Sequence, residues 1–558
     1  MAGGTVSLRE SVIRPGRLIG GDSEFTCVVL GGAKGAGGGS PQFIGPLREY
    51  LARRGIRVDI LSDFSFLNGY YTERFEELAR DCVLGVLDLD GAGPEELYQF
   101  GFLRGRGKFI LALGKNSAGA WEAKGLRSDG GSETHGVPQG EYGAASAYGD
   151  KFIMRPLPGP VRTGWEAFSN ENTEAEFLRC LGEELPRIIE GYMEDSLVEA
   201  VSGESEDAES LREQALRLSG YFSSREGFGL SELDAVNDSL LTWEERSGRG
   251  APSRLRSCLA SLYTRLADSA ADEEVKRACT ERRVSLYGRV LDREKPGALA
   301  GVTAKKLADL LALGSSGEDG QGSLERAVRL YRQALGIFSR EVYPREFMSV
   351  SNNLGAALNS LYSRTGEPGY AREAAQALEV CLPRGAFINS GSDLALVNVN
   401  LGSAYANLAL HENPGENYLR AAGALEDALG LFGDPGENAT IRASLGGIYK
   451  ILGDMEAEAD NPDGAIEFYD RALLHYPDDT ARSAHASNGR KLGEAFERLY
   501  RKGSDVTDLR KSIAAYTASL SAAADAGDEA SGDIAGMLAA LYSELAGALE
   551  VSGDYEGA

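Results

Sequence analysis

The chain has 558 residues, 42% of them hydrophobic and 25% charged, and a net charge of −26 from 84 acidic and 58 basic side chains. That content excludes a wholly disordered chain. The acidic excess repels phosphate backbones and anionic lipid, so neither nucleic acid nor membrane is an expected partner. The length exceeds one ordinary core and requires several domains or a set of repeats.

Cys27, Cys82, Cys180, Cys258, Cys279 and Cys381 contain no CxxC pair and read as small buried apolar residues in a reducing compartment. His135, His411, His475 and His485 are too dispersed for a metal site, and no cofactor is expected. Residues 1–24 form a polar leader without an apolar h-region, and no run reaches the roughly 18 apolar residues of a membrane helix. The expected location is the cytoplasm.

Residues 25–200 alternate between short apolar runs and amphipathic segments. FTCVVLGG predicts a buried strand, GGAKGAGGGS a glycine-rich loop, and PQFIGPLREYLARRG a helix with Ile44, Leu47, Tyr50 and Leu51 on one face. IRVDIL, VLGVLDLD and KFILAL predict three further strands, with helices at ERFEELARD and PEELYQFGFLRG between them. Strands and helices alternating at this spacing imply a parallel sheet with helices on its faces, an α/β domain with flavodoxin-like layers. Residues 112–163 are rich in Gly, Ser and Ala and read as a long loop or lid. KFIMRPL predicts another strand, and TEAEFLRCLGEELPRIIEGYMEDSL a long closing helix with a kink at Pro186.

Ligands of open α/β sheets sit beyond the carboxyl ends of the strands. Two such ends carry chemistry here. The glycine loop offers backbone amides at Gly31, Gly32 and Gly35 for a phosphate or sugar, with Lys34 adding charge, although neither a GK[ST] ending nor GxGxxG spacing is present. DLDG places Asp88 and Asp90 at a strand tip, where carboxylates suit ribose hydroxyls; an Asp-Gly turn before Pro94 accounts for the same residues without a ligand. Arg104, Arg106 and Lys108 complement a helix C-terminus.

VLGVLDLDG followed by QFGFLRGRGKFILAL resembles the nucleoside 2-deoxyribosyltransferase-like family over roughly residues 25–190. That family has an acidic strand end, a helix carrying E-L-G-Y-A, a short turn ending in Gly-Lys and a hydrophobic strand. LRSDGG, with Arg127 and Asp129, is similar to its R-x-D segment. The resemblance implies a nucleoside or nucleotide pocket. It also marks a departure, because the nucleophilic glutamate of the family falls on Gln99, two residues before Gly101. A carboxylate can attack an anomeric carbon and an amide cannot. Glu95 and Glu96 lie nearby, but Glu96 is three residues upstream, almost one helical turn away.

Residues 205–558 predict an all-α helix-pair solenoid. A leucine followed by a small residue recurs at Leu259, Leu307, Leu354, Leu401, Leu445, Leu492 and Leu538, in steps of 48, 47, 47, 44, 47 and 46 residues. A period this narrow marks stacked supersecondary units. The small residue lets a paired helix approach, and an aromatic four positions on falls on the same face. LERAVRLYRQAL, AIEFYDRAL and SIAAYTASL mark the second helix, and ESLREQALRL with SELDAVNDSLLTW a degenerate leading unit. The small-aromatic-small spacing resembles the tetratricopeptide repeat at a longer period. The expected surplus lies in turns at GEPGYAREA, HENPGENYL and EADNPDGA, and long-period variants of this kind imply a signalling context. Tyr405, Tyr449 and Tyr469 read as core. SGDYEGA matches the opening of a second helix, which predicts a longer reading frame or a partner covering the helix around Leu538 and Leu541.

Taken together, the expectation is a protein-interaction scaffold whose repeats bind a protein or peptide and whose N-terminal domain holds a nucleoside or nucleotide, as a sensor in prokaryotic signalling. The alternative is an active N-glycosidase, a deoxyribosyltransferase or a Toll/interleukin-receptor-like NAD hydrolase recruited by the repeats.

Overall fold

The computed structural model describes residues 25–30, 44–54, 56–60, 82–88, 109–115 and 121–125, helical residues within 75–103 and 185–197, and most of 206–552. Within that last span, 224–227, 316–319, 383–390, 433–434, 477–481 and 527–530 are not described. The chain divides into two compact units, one of residues within 20–314 and 329–347, the other including 315–328 and 348–558.

The first unit holds a sheet of order β2-β1-β3-β4-β5. Its strands are β1 (Phe25–Leu30), β2 (Ile56–Ile60), β3 (Cys82–Asp88), β4 (Phe109–Lys115) and β5 (Trp121–Gly125). The first four are parallel, as the alternation of strands and helices predicts. Cys27 to Leu30 are fully buried, which is why β1 reads as an unbroken apolar run rather than an alternating one. Helix α1 (Ile44–Ala52) buries Leu47 and Leu51. Of the closing helix, residues 185–186 and 188–193 are helical, with Leu185, Ile188, Ile189, Tyr192 and Met193 buried at helical spacing.

One expectation is corrected. The stretch from 112 onward is not all loop, because β4 runs on to Lys115 and β5 pairs with it antiparallel, Lys115 opposite Trp121 and Leu111 opposite Gly125. A five-residue edge strand takes its order from the neighbouring ladder more than from its own composition, so its sequence carries little periodic signal. The polar leader, KFIMRPL and the final residues 553–558 lie outside the described residues.

The apolar core of this unit continues from the sheet into helices α2 (Glu206–Ser223), α3 (Leu230–Ser247), α4 (Ser253–Ser269), α5 (Glu273–Leu291) and α6 (Ala298–Leu313). Arg254 of α4 donates to the Tyr192 carbonyl at 3.0 Å and lies over the Tyr192 ring, bridging the closing helix and the first full repeat.

Helix pairs continue through α7 (Gly320–Leu335), α8 (Pro344–Thr365), α9 (Pro368–Glu379), α10 (Gly391–Ala409), α11 (Pro414–Leu431), α12 (Pro435–Glu458), α13 (Pro462–His475), α14 (Arg482–Gly503), α15 (Val506–Ala526) and α16 (Ser531–Ser552). Every anchor leucine of the period falls in the first helix of a pair and is buried. The small residue after it does what the sequence implies. A Cβ added at Gly355 would lie 2.5 Å from Leu378, and at Gly402, Gly446 and Gly493 it would lie 2.7 Å from Leu425, Tyr476 and Tyr516. Each of these partners belongs to the second helix of the same pair or to the residue that caps it.

The surplus length is not in the turns. Only Gly366 and Glu367 separate α8 from α9, and Pro368, Pro414 and Pro462 are the first residues of their helices. At that position the missing amide costs nothing and the fixed φ favours the helix. Much of the extra length is in the helices instead, 22 residues in α8, 24 in α12 and 21 in α15. In α16, Leu538 and Leu541 are buried in the cluster containing Ile513 and Tyr516, and the exposed large apolar side chains of the helix are Met537 and Tyr542.

The core tyrosines carry a second role that periodicity does not reveal. Tyr263 and Tyr449, in first helices, donate to Asp234 and Glu426 of the preceding pair at 2.6 Å, and Tyr405 donates to Glu379 in the same way. Tyr331 and Tyr469, in second helices, donate to Asp309 at 2.6 Å and Asp454 at 2.8 Å in the first helix of their own pair. One set ties pair to pair and the other closes each pair.

Burial, and then the bond to a carboxylate, raises Tyr405 and Tyr449 from 10 to about 12 and raises Tyr263 and Tyr469 further. These groups bind their protons more tightly when folded, so their contribution is complete below pH 10 and is lost as pH rises through about 12. Alkaline titration should therefore show tyrosinate absorbance of the buried set appearing together with loss of helical circular dichroism. Tyrosinate formation with helicity intact would contradict this.

Candidate functional site

The sheet order places β1 and β3 side by side, with Leu30 opposite Leu87 at their carboxyl ends. From β1 the chain crosses to β2 on one flank, then returns to β3 on the other, so β1 and β3 flank the topological switch point. In open α/β sheets it is at such a switch point that a ligand crevice forms, above the carboxyl ends of the strands. The glycine loop begins at the residue after Leu30, and Asp88 is the last residue of β3, opposite Leu113 of β4. The two strand ends singled out by sequence are thus the two ends at the switch point.

Of the individual candidates, Gln99 is helical and buried at 2% exposure, and Asp88 is placed by its backbone in the ladder. Gly31, Gly32, Lys34, Gly35, Asp90, Glu95, Glu96, Arg127 and Asp129 lie outside the described residues. Phe102, three residues after Gln99 and likewise helical, packs on Phe75 with ring centroids 5.3 Å apart.

Cys27 sits within β1. Burial pushes its thiol well above the usual range, and Cys82 and Asp59 push in the same direction. A thiol held protonated and fully buried is a packing group and not a nucleophile. Among the described residues, no group of three His, Cys, Asp or Glu side chains is placed to hold a metal ion.

In the second unit, α8 and α10 enclose a seam of amides that sequence reasoning missed. Asn400 donates to Asn352 at 2.9 Å, Asn352 to Asn353 at 3.1 Å, and Asn359 to the Asn400 carbonyl at 2.9 Å. All four are buried, at 0–2% exposure. Buried amides are tolerated only when bonded, and a bonded chain of them fixes one helix against the next far more narrowly than apolar contact does. The signal was present as SNNLGAALNS and VNVNLGS, where asparagines interrupt stripes that are otherwise apolar or small. Such a seam sets geometry and has no catalytic group in it.

No helix among the described residues is long and apolar enough to cross a membrane. No protein-family model matches the chain, and no curated protein matches it. Among solved structures, a Rap protein complexed with Competence and Sporulation Factor is 15% identical, covering 67% of this chain and 94% of that one, with a TM-score of 0.23. A circular tandem repeat protein with novel repeat topology is 16% identical, covering 68% and 93%, with a TM-score of 0.24. At those TM-scores neither likeness bears on function, and the helix-pair solenoid rests on this chain's own packing.

Proposed function

We propose that the chain is a protein-interaction scaffold: its helix pairs bind a protein or peptide, and the crevice at the ends of β1 and β3 binds a nucleoside or nucleotide without cleaving it. The observation that carries the ligand reading is the pairing of Leu30 with Leu87, which makes the glycine loop and the acidic strand end neighbours at a switch point. Gln99 supports the absence of turnover, because on the resemblance to the deoxyribosyltransferase-like family this buried amide takes the position of the carboxylate nucleophile that sugar transfer requires. The solenoid supports the scaffold reading through its architecture, since stacked pairs present an extended surface. Acidic residues predominate over the whole chain, which favours a basic partner segment. A role as a ligand sensor in signalling follows from joining the two activities in one chain.

Thermal denaturation of the full chain with nucleosides, NAD and cyclic nucleotides tests the ligand half. A ligand at a hundred times its Kd should stabilise the protein by about 2.7 kcal/mol. Lys34→Ala should weaken the response to phosphorylated ligands and leave that to nucleosides unchanged. No shift with any of the three classes would remove the ligand half and leave the scaffold.

A further inference from the structure

Strand β2 carries two charges on one face, Arg57 and Asp59, two positions apart. Asp59 is fully buried, one residue before the end of the strand. Its Oδ2 accepts from Arg57 Nη2 at 2.9 Å, and its Oδ1 accepts from Arg345 Nη1 at 2.9 Å. Arg57 Nη2 also donates to Glu346 Oε1 at 2.9 Å. Glu346 is buried, and both arginines are only one-fifth exposed, at 20%. Arg345 and Glu346 lie in the first turn of α8, just after Pro344, where a carboxylate also meets the positive end of the helix dipole. All four residues belong to the unit that contains the sheet.

Two carboxylates and two guanidiniums offset one another's charge, which lowers the cost of burying them. Beyond the Arg57–Asp59 pair within β2, the partners joined to the strand are 286 and 289 residues away in the chain, so these two bonds do nothing for the local folding of either element. Apolar side chains of similar volume would hold the two elements together at a lower desolvation cost, whereas loss of one charge leaves the others less well compensated in the interior. A cluster of this kind has two low-energy states, closed and paired or open and hydrated, with partly open forms disfavoured. We propose that Arg57, Asp59, Arg345 and Glu346 form a releasable ionic latch that fastens the first turn of α8 to the edge strand of the sheet and opens as one piece. Because Asp59 is opposite Val28 of β1, the latch acts on the strand next to the one that ends at the crevice. The proposal does not depend on what the crevice binds.

Hydrogen exchange of the full chain at increasing denaturant, below global unfolding, tests it. Amides of 56–60 and 345–350 are expected to follow one shared opening isotherm. Arg345→Gln should speed exchange in both segments, on the order of a hundredfold, while α13 is unaffected. Adding Asp59→Asn to Arg345→Gln should bring little further change, and Arg345→Lys, which keeps the charge, should restore part of the protection. Separate isotherms for the two segments in the wild-type protein would overturn the proposal whether or not the variants fold. So would an effect of Arg345→Gln confined to 345–350.

Discussion

Glu244→Ala is expected to destabilise the unit that contains the sheet by about 3–5 kcal/mol. Glu244 of α3 forms an ion pair with the buried Arg256 of α4, accepts from Arg289 of α5 at 3.0 Å and accepts from the Ala251 amide at 2.7 Å. Arg256 in turn donates to the Arg289 carbonyl at 3.2 Å, so one carboxylate holds three consecutive helices. Burial, with Arg293 and Arg289 beside it, lowers the Arg256 pKa to about 10. At neutral pH the guanidinium is still charged, which makes its burial a cost to the folded state that Glu244 offsets. Removing the acid leaves that cost without its compensation. Removing both, as in Glu244→Gln with Arg256→Met, should recover most of the loss, because the charge is no longer buried. Chemical denaturation of the single and double variants checks this, and equal destabilisation in both would show that packing, not charge, sets the effect.

The second large effect is expected at Gly446, where the preferences of an isolated helix and of the packed pair oppose each other. Gly446→Val should destabilise by about 2–3 kcal/mol, because the added Cβ would meet the Tyr476 ring at 2.7 Å and the branched side chain has no room to turn. The adjacent Gly447 has nothing within 4 Å of the same added atom. Gly447→Ala should therefore stabilise by about 0.5–1 kcal/mol through helix propensity alone. Two neighbouring glycines in one helix thus give opposite signs, and thermal denaturation of the two variants separates packing from propensity. Stabilisation by both would contradict a packing notch at Gly446.

The repeat period was readable because packing imposes it on single residues. Gly402 follows Leu401 because the close approach of Leu425 leaves no room there for a side chain. Strand β1 was readable for a related reason, since burial on both faces leaves FTCVVL with no polar residue but Thr26. What escaped were features created by pairing with other residues. Strand β5 depends on its ladder with β4, and the carboxylate partners of Tyr405 and Tyr449 lie 26 and 23 residues upstream. The amide seam joins Asn400 to Asn352 across 48 residues, and Asp59 meets Arg345 across 286. Long-range polar pairs leave no periodic trace in sequence. For the crevice, sequence supplied the two strand ends, and only the strand order showed that they are adjacent.

The measurement that bears most directly on the proposed function is a paired one, equilibrium binding of nucleosides, deoxynucleosides and NAD to the full chain with free base or nicotinamide quantified in the same samples. Binding without release of base is the predicted result. Steady release that disappears in Glu96→Ala would contradict it and make the crevice a catalytic site.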